Sequence, residues 1–209
     1  MELIPKRWYF AGMSKLEAAF QLFDEYNRQD PRSFEWDGAN YPQEYFFAVK
    51  LYDWVLKLDP NASEELLLAS RSQHIGRWEI PRDSYPEGRD AYLKWRKDLA
   101  LHHAVIAAGL MQQAGYDGEQ IERVNQIILK KRIKIDSDVQ TMENALCLVF
   151  LEFQYEDFRK QYENDHDKII NILHRSLLKM DAHGHQFALK LPYTTEGLNL
   201  IVKAIPVAS

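Results

Sequence analysis

One cysteine among 209 residues excludes an internal disulfide framework and any thiolate-rich zinc site. That residue, Cys147, lies inside ALCLVFL, where it reads as a small buried hydrophobe. Long apolar runs are also missing. None approaches the roughly 18 residues a membrane-crossing helix needs, and the N-terminal MELIPKRWYFAGMSK lacks an apolar stretch of signal-peptide length. No membrane partner is expected, and the cytoplasm is the expected location. Basic residues are the minority, 26 against 31 acidic ones for a net charge of −5. This balance argues against a broad nucleic-acid footprint and leaves only a local basic patch. Internal repeats, low-complexity segments and a clear period-2 strand pattern are absent as well. What is present is ample core material, 46% hydrophobic and 12% aromatic, at a length that suits one domain over residues 1–209.

Helical signals fill the chain. Ser14 and Glu17 form a capping-box pattern ahead of LEAAFQLFDEYN, a first helix ending near Asp30-Pro31. PRSFEWDGANYP reads as a polar loop holding two aromatics. Pro42 then opens a second helix, with Phe46, Val49, Tyr52 (or Leu51), Val55 and Leu56 at helical spacing. DPNASEE starts a third, ELLLASRSQHIGRW, which should end before Pro81. The fourth, DAYLKWRKDLALHHAVIAAGLMQQAG, is closed by Gly115, and Asp117 or Gly118 begins the fifth. The sixth contains ALCLVFL, apolar on every face. Such a helix belongs at the centre of a bundle. HDKIINILHRSLLKM and two short segments, HGHQFALKL and TEGLNLIVKAI, complete an all-α architecture.

The segment SRSQHIGRWEIPR admits two motif readings. HIGR, His74 to Arg77, is similar to the HIGH signature of class I aminoacyl-tRNA synthetases, which requires a strand before it and a phosphate-binding helix start after it. The preceding ASEELLLASRSQ is helical in period, so that reading fails. QHIGR also resembles the HDIGR of HD-domain phosphohydrolases. Here Gln73 stands where the metal-binding His would be and His74 where the Asp would be. Downstream, His103 matches the position of a further HD histidine in HHAVIAAGLMQQAGYDGE. A closing His is replaced by Lys130-Lys131, and the late Asp position falls at Asn144.

Together, YPQE, SRSQHIGRWEIPRDSYPEGR, YLKWRKDL, HHA, AGYD and ENALCLVFLEFQYEDF resemble the bacterial domain-of-unknown-function 4202 family, a distant relative of HD phosphohydrolases. The resemblance covers about residues 41–160 and implies an HD-like multi-helix bundle around a central buried helix. That family's usual Glu-Asp pair is Glu143-Asn144 here, which removes one anionic ligand.

HD chemistry is metal-assisted phosphoester hydrolysis, in which a divalent metal lowers the pKa of bound water and neutralises phosphate oxygens. The resemblance implies His74, His103, Glu143 and Glu44 as ligands for such a metal (Mn, Fe, Ni, Zn or Mg), with His74 turned inward beside His103 and Glu143. Arg89, Arg96 and His103 are seven residues apart, so they share one helix face. With Arg77, Arg82 and Lys130 they form a candidate phosphate clamp, and Gln73, Trp78, Trp95 and Asn144 are candidate pocket residues. The expected function is binding of a phosphorylated small molecule, a nucleotide among the candidates, with metal-dependent hydrolysis. The alternative is an inactive HD relative that serves as a ligand-binding or protein-interaction module.

Overall fold

Ser14 accepts a hydrogen bond from the Glu17 amide at 3.2 Å, and Glu17 accepts one from the Ser14 amide at 2.8 Å. This reciprocal cap, of a kind worth about 1 kcal/mol, starts α1 (Lys15–Asn27) of the computed structural model, which describes residues 12–206. The reading of the N-terminal stretch as no signal peptide concerns residues that lie largely outside that range. Among the described residues the structure has ten α-helices, α1 included, and a small hairpin, the all-α architecture expected. Among the described residues no helix is long and apolar enough to cross a membrane. The chain divides into two compact units, residues 1–49 with 63–129, and residues 50–62 with 130–209.

The first unit corrects one expectation. PRSFEWDGANYP is not a loop but a hairpin, β1 (Ser33–Trp36) antiparallel to β2 (Ala39–Pro42), with Trp36 opposite Ala39. Asp37 and Gly38 both have positive φ, as a tight hairpin turn requires. Phe34 anchors the hairpin against Phe46 and Phe47, ring centroids 4.8 Å from each. Those two rings stand on α2 (Gln43–Leu58), whose first half belongs to this unit.

A second correction concerns the HIGR segment. α3 (Glu64–Ser72) ends before it, because the Ser70 and Ser72 hydroxyls bond back to the Leu67 and Leu68 carbonyls. Gly76 then takes a left-handed φ of 69°, and a Cβ there would meet Ile106 Cδ1 at 2.4 Å. His74 therefore sits in a turn, and Arg77–Glu79 form a short 3-10 segment. α4 (Arg89–Gln113) and α5 (Gly118–Ile128) complete the unit. Gly115 with positive φ follows α4, and the Asp117 side chain caps α5. α5 buries Ile121, Val124, Ile127 and Ile128 on one face, and it packs against α3 and α4.

The second unit holds the end of α2 and α6 (Ser137–Phe153), with α7 (Tyr155–Gln161), α8 (His166–Leu177), α9 (Ala182–Ala188) and α10 (Thr195–Ala204). On α6, Ala145, Cys147, Leu148, Val149 and Leu151 are buried, while Leu146 and Phe150 are half-buried. The run that reads as apolar on every face is thus covered on most of its circumference. Glu152 accepts a 2.6 Å hydrogen bond from the Trp54 indole, and Tyr155 donates to the Gly197 carbonyl at 3.0 Å.

Candidate functional site

The polar cluster of the first unit is built around the start of α2. Asp30 follows α1, and its carboxylate binds the Arg32 guanidinium through two 2.9 Å contacts while also accepting the Glu44 amide at 3.0 Å. Arg32 in turn reaches Glu44 Oε1 at 2.8 Å. Glu44 is buried. Burial raises its pKa, with the nearby Asp30 charge adding to the rise and Arg77 and Arg32 opposing it, and the net direction is upward. Arg77 approaches the same oxygen only to 4.0 Å.

Arg77 is crowded by other cations. Its pKa is lowered by burial first, with Glu44 opposing and the fields of Arg32 and Arg96 adding to the fall. Its guanidinium lies 5.9 Å from the Trp95 ring, which is 5.8 Å from Tyr92. Arg82 and Arg96 each stand 6.0 Å from the Tyr92 ring. Trp95 is fixed by its indole N–H, which donates to the Ile80 carbonyl at 2.9 Å. Arg82 donates to the Tyr85 and Pro86 carbonyls, and Arg89 is exposed in the first turn of α4.

The His74 and His103 rings are 5.8 Å apart. His103 is buried, and its Nδ1 lies 2.6 Å from the Ile75 carbonyl, so this nitrogen carries the proton and donates it. Burial pushes the His103 pKa down to about 4, against the pull of the Ile75 carbonyl and with help from Arg77 and His102. An unfolded chain takes up this proton near the ordinary value of 6.5, whereas the folded protein resists it down to about 4. The unfolded state then binds more protons in that window, and acidification favours unfolding. The contribution, about 3 kcal/mol, is present in full above the window and lost as pH falls through it. Chemical denaturation above and below the window should show wild type losing this increment and His103→Gln lacking it. Equal pH slopes for the two proteins would contradict the assignment.

The other expected residues serve packing and ion pairing. Gln73 is buried, and its amide donates to the Ile128 carbonyl at 3.1 Å. Trp78 packs on Tyr26 with ring centroids 5.8 Å apart. Glu143, Asn144 and Lys130 belong to the second unit. Glu143 is buried with Lys130 Nζ at 2.6 Å and Lys179 Nζ at 3.5 Å. Burial alone would raise its pKa, but the two lysines outweigh that and hold it below the ordinary value. Asn144 donates to Asp181 Oδ1 at 2.9 Å and accepts from Gln140 at 3.0 Å and from the Asp181 amide at 3.2 Å. Its amide thus braces the residue that caps α9.

The metal-ligand set implied by the resemblance is divided between the two units, His74, His103 and Glu44 in the first and Glu143 in the second. Both carboxylates are committed to cations, Glu44 to Arg32 and Glu143 to two lysines. Among the described residues, no three of His, Cys, Asp and Glu gather as metal ligands. Asp30 and Arg32 are the functional candidates that sequence reasoning passed over. They lie between two elements, where no helical period singles out a residue.

A family model described as "Domain of unknown function (DUF4202)" matches residues 17–201. Neither the curated proteins nor the solved structures contain a match to the chain.

Proposed function

Since the chain belongs to the DUF4202 family, whose description carries no activity, we propose from the geometry of the first unit that it binds a phosphorylated small molecule at the Arg77 cluster. One observation carries this reading. The Arg77 guanidinium feels the fields of two others, Arg32 and Arg96, and Arg32 stands between two carboxylates, Asp30 and Glu44. Both of those carboxylates are taken up by Arg32 at 2.8–2.9 Å, which leaves Arg77 at 4.0 Å from its nearest anion. A partly buried guanidinium so placed is short of negative charge, and a phosphate supplies it in bidentate geometry. Tyr92, exposed beside the Arg82 and Arg96 guanidiniums, offers aromatic surface to an organic group attached to that phosphate.

The HD-like relationship belongs to the same proposal. Gln73, His74 and His103 occupy HD-type positions, and the adjacency of the two imidazoles supports it. No hydrolytic step is proposed, because the ligand set for a metal is not assembled by this chain's own carboxylates.

Thermal melting with inorganic phosphate, pyrophosphate and a nucleoside monophosphate tests the reading. A ligand bound only by the folded state raises the melting temperature as its concentration exceeds Kd. Arg77→Ala should weaken binding roughly tenfold to a hundredfold, the loss of one charge-assisted contact pair. Lys179→Ala should leave it unchanged. A flat response of wild type to all three ligands would refute the proposal.

A further inference from the structure

Three guanidiniums of the first unit gather at one exposed ring and its neighbour. Arg82 and Arg96 each stand 6.0 Å from the Tyr92 centroid, and Arg96 Nη1 donates to the Tyr92 hydroxyl at 3.3 Å. Arg77 joins them through Trp95, which lies 5.9 Å from its guanidinium and 5.8 Å from the Tyr92 ring. The Arg96 charge is near enough to contribute to the lowered pKa of Arg77. The two differ in depth. The Arg77 side chain is 35% exposed, whereas Arg96 lies open on α4.

None of the three is neutralised at close range. Arg82 spends its terminal nitrogens on the Tyr85 and Pro86 carbonyls, which hold the group in place without cancelling its charge. Arg77 stands 4.0 Å from a Glu44 oxygen that is already bonded to Arg32. Among the described residues no carboxylate forms an ion pair with Arg82 or Arg96. Neighbouring acids are committed elsewhere, Asp98 to Lys94 and the Tyr85 hydroxyl, and Glu79 to Tyr26 and His102.

Charge then decides between ligand classes. A phosphate monoester brings about −1.5 to −2 at neutral pH, short of the positive charge of Arg77, Arg82 and Arg96 together. A second linked phosphate adds about one more negative charge and lengthens the anion, so that it reaches from the half-buried guanidinium to the open one. Each guanidinium can then meet its own phosphate through its fork of N–H donors.

We propose that the ligand of this site carries two linked phosphates, one held by Arg77 and the other by Arg96, and that Arg96 selects diphosphates over monophosphates. This inference rests on the reading of Arg77 as an anion site and names the class of ligand it takes.

Isothermal titration of the full chain with inorganic phosphate and with pyrophosphate, at one ionic strength, tests it. Pyrophosphate should bind at least about tenfold more tightly, the equivalent of one added charge-assisted contact. Arg96→Ala, an exposed substitution that should fold as wild type does, should weaken pyrophosphate binding about tenfold. It should change phosphate binding by less than about twofold, since an exposed charge outside direct contact is screened. Lys97→Ala deletes the same charge one residue on, about 100° around the helix, and should preserve the preference. That control separates a seated second phosphate from general attraction of a more highly charged ion. Equal wild-type affinities for the two anions would overturn the proposal, as would an Arg96→Ala loss shared equally by both, and either would leave Arg77 as a single-phosphate site. An equal effect of Lys97→Ala and Arg96→Ala on the preference would also overturn it. Binding of neither anion would refute the Arg77 reading and this proposal with it.

Discussion

Leu148→Asp should fail to fold at ambient temperature. Leu148 is fully buried on α6, and its substitution removes an apolar side chain and puts an unpaired carboxylate in its place. Burial of an uncompensated charge together with loss of core packing costs more than about 4 kcal/mol. Domains of ordinary stability hold only about 5–15 kcal/mol. Leu178→Asp is the matched control, since Leu178 is 44% exposed and lies just beyond α8. It should shift stability by no more than about 0.5 kcal/mol. Circular dichroism melts of the two variants give the comparison. Cooperative, near-native melting of Leu148→Asp would contradict the role given to α6 as the buried helix of its unit.

The second large effect is at Asn144. Its side-chain amide donates to Asp181 Oδ1 at 2.9 Å, and that same oxygen accepts the Gly184 amide at 2.9 Å to cap α9. Gly184 has to be glycine for the amide to reach in, since a Cβ there would meet Asn144 Cγ and Oδ1 at 2.7 Å. Asn144→Asp exchanges the donor for a second carboxylate facing the first. At neutral pH this should cost about 2–4 kcal/mol, the loss of a buried hydrogen bond plus like-charge repulsion. Part of the loss should return on acidification, when the two carboxylates can share a proton. Adding Asp181→Asn to Asn144→Asp should recover stability beyond the sum of the single effects, a non-additivity expected of direct partners. Denaturant titration of the four proteins of this cycle provides the measurement, and strict additivity would rule out the contact. The Asn144 amide thus has a structural use, because it braces the cap of α9.

How far the sequence speaks depends on where local chemistry decides the outcome. Ser14 with Glu17, Asp117, and Gly115 are helix-end signals that act within a few residues, and all three operate as read. The hairpin was hidden because its strands are four residues long and mostly exposed, so they show no alternation of apolar and polar residues. Its one local signal is the Asp37-Gly38 turn. α3 stops at Ser72 rather than continuing through His74, because serine hydroxyls compete for the carbonyls and Gly76 reverses the chain. The break at Gln154 between α6 and α7 carries neither glycine nor proline and could not be seen from composition.

The candidate site divides in the same way. Helical spacing places Arg89, Arg96 and His103 on one face of α4, and the His74 and His103 rings lie 5.8 Å apart. Arg32 and Asp30 join only because the hairpin folds back onto α2. Glu143 and Lys130 come together in the second unit as an ion pair, a use that residue type alone does not distinguish from metal or phosphate binding.

The most direct test of the central claim is a crystal structure of the protein grown with tungstate, a phosphate-like oxyanion whose anomalous signal marks its position. The account predicts a peak in direct contact with the Arg77 guanidinium and flanked by Arg32 or Arg96, lost in Arg77→Ala. A well-ordered Arg77 bonded to Glu44, with no oxyanion beside it at saturating tungstate, would contradict the account.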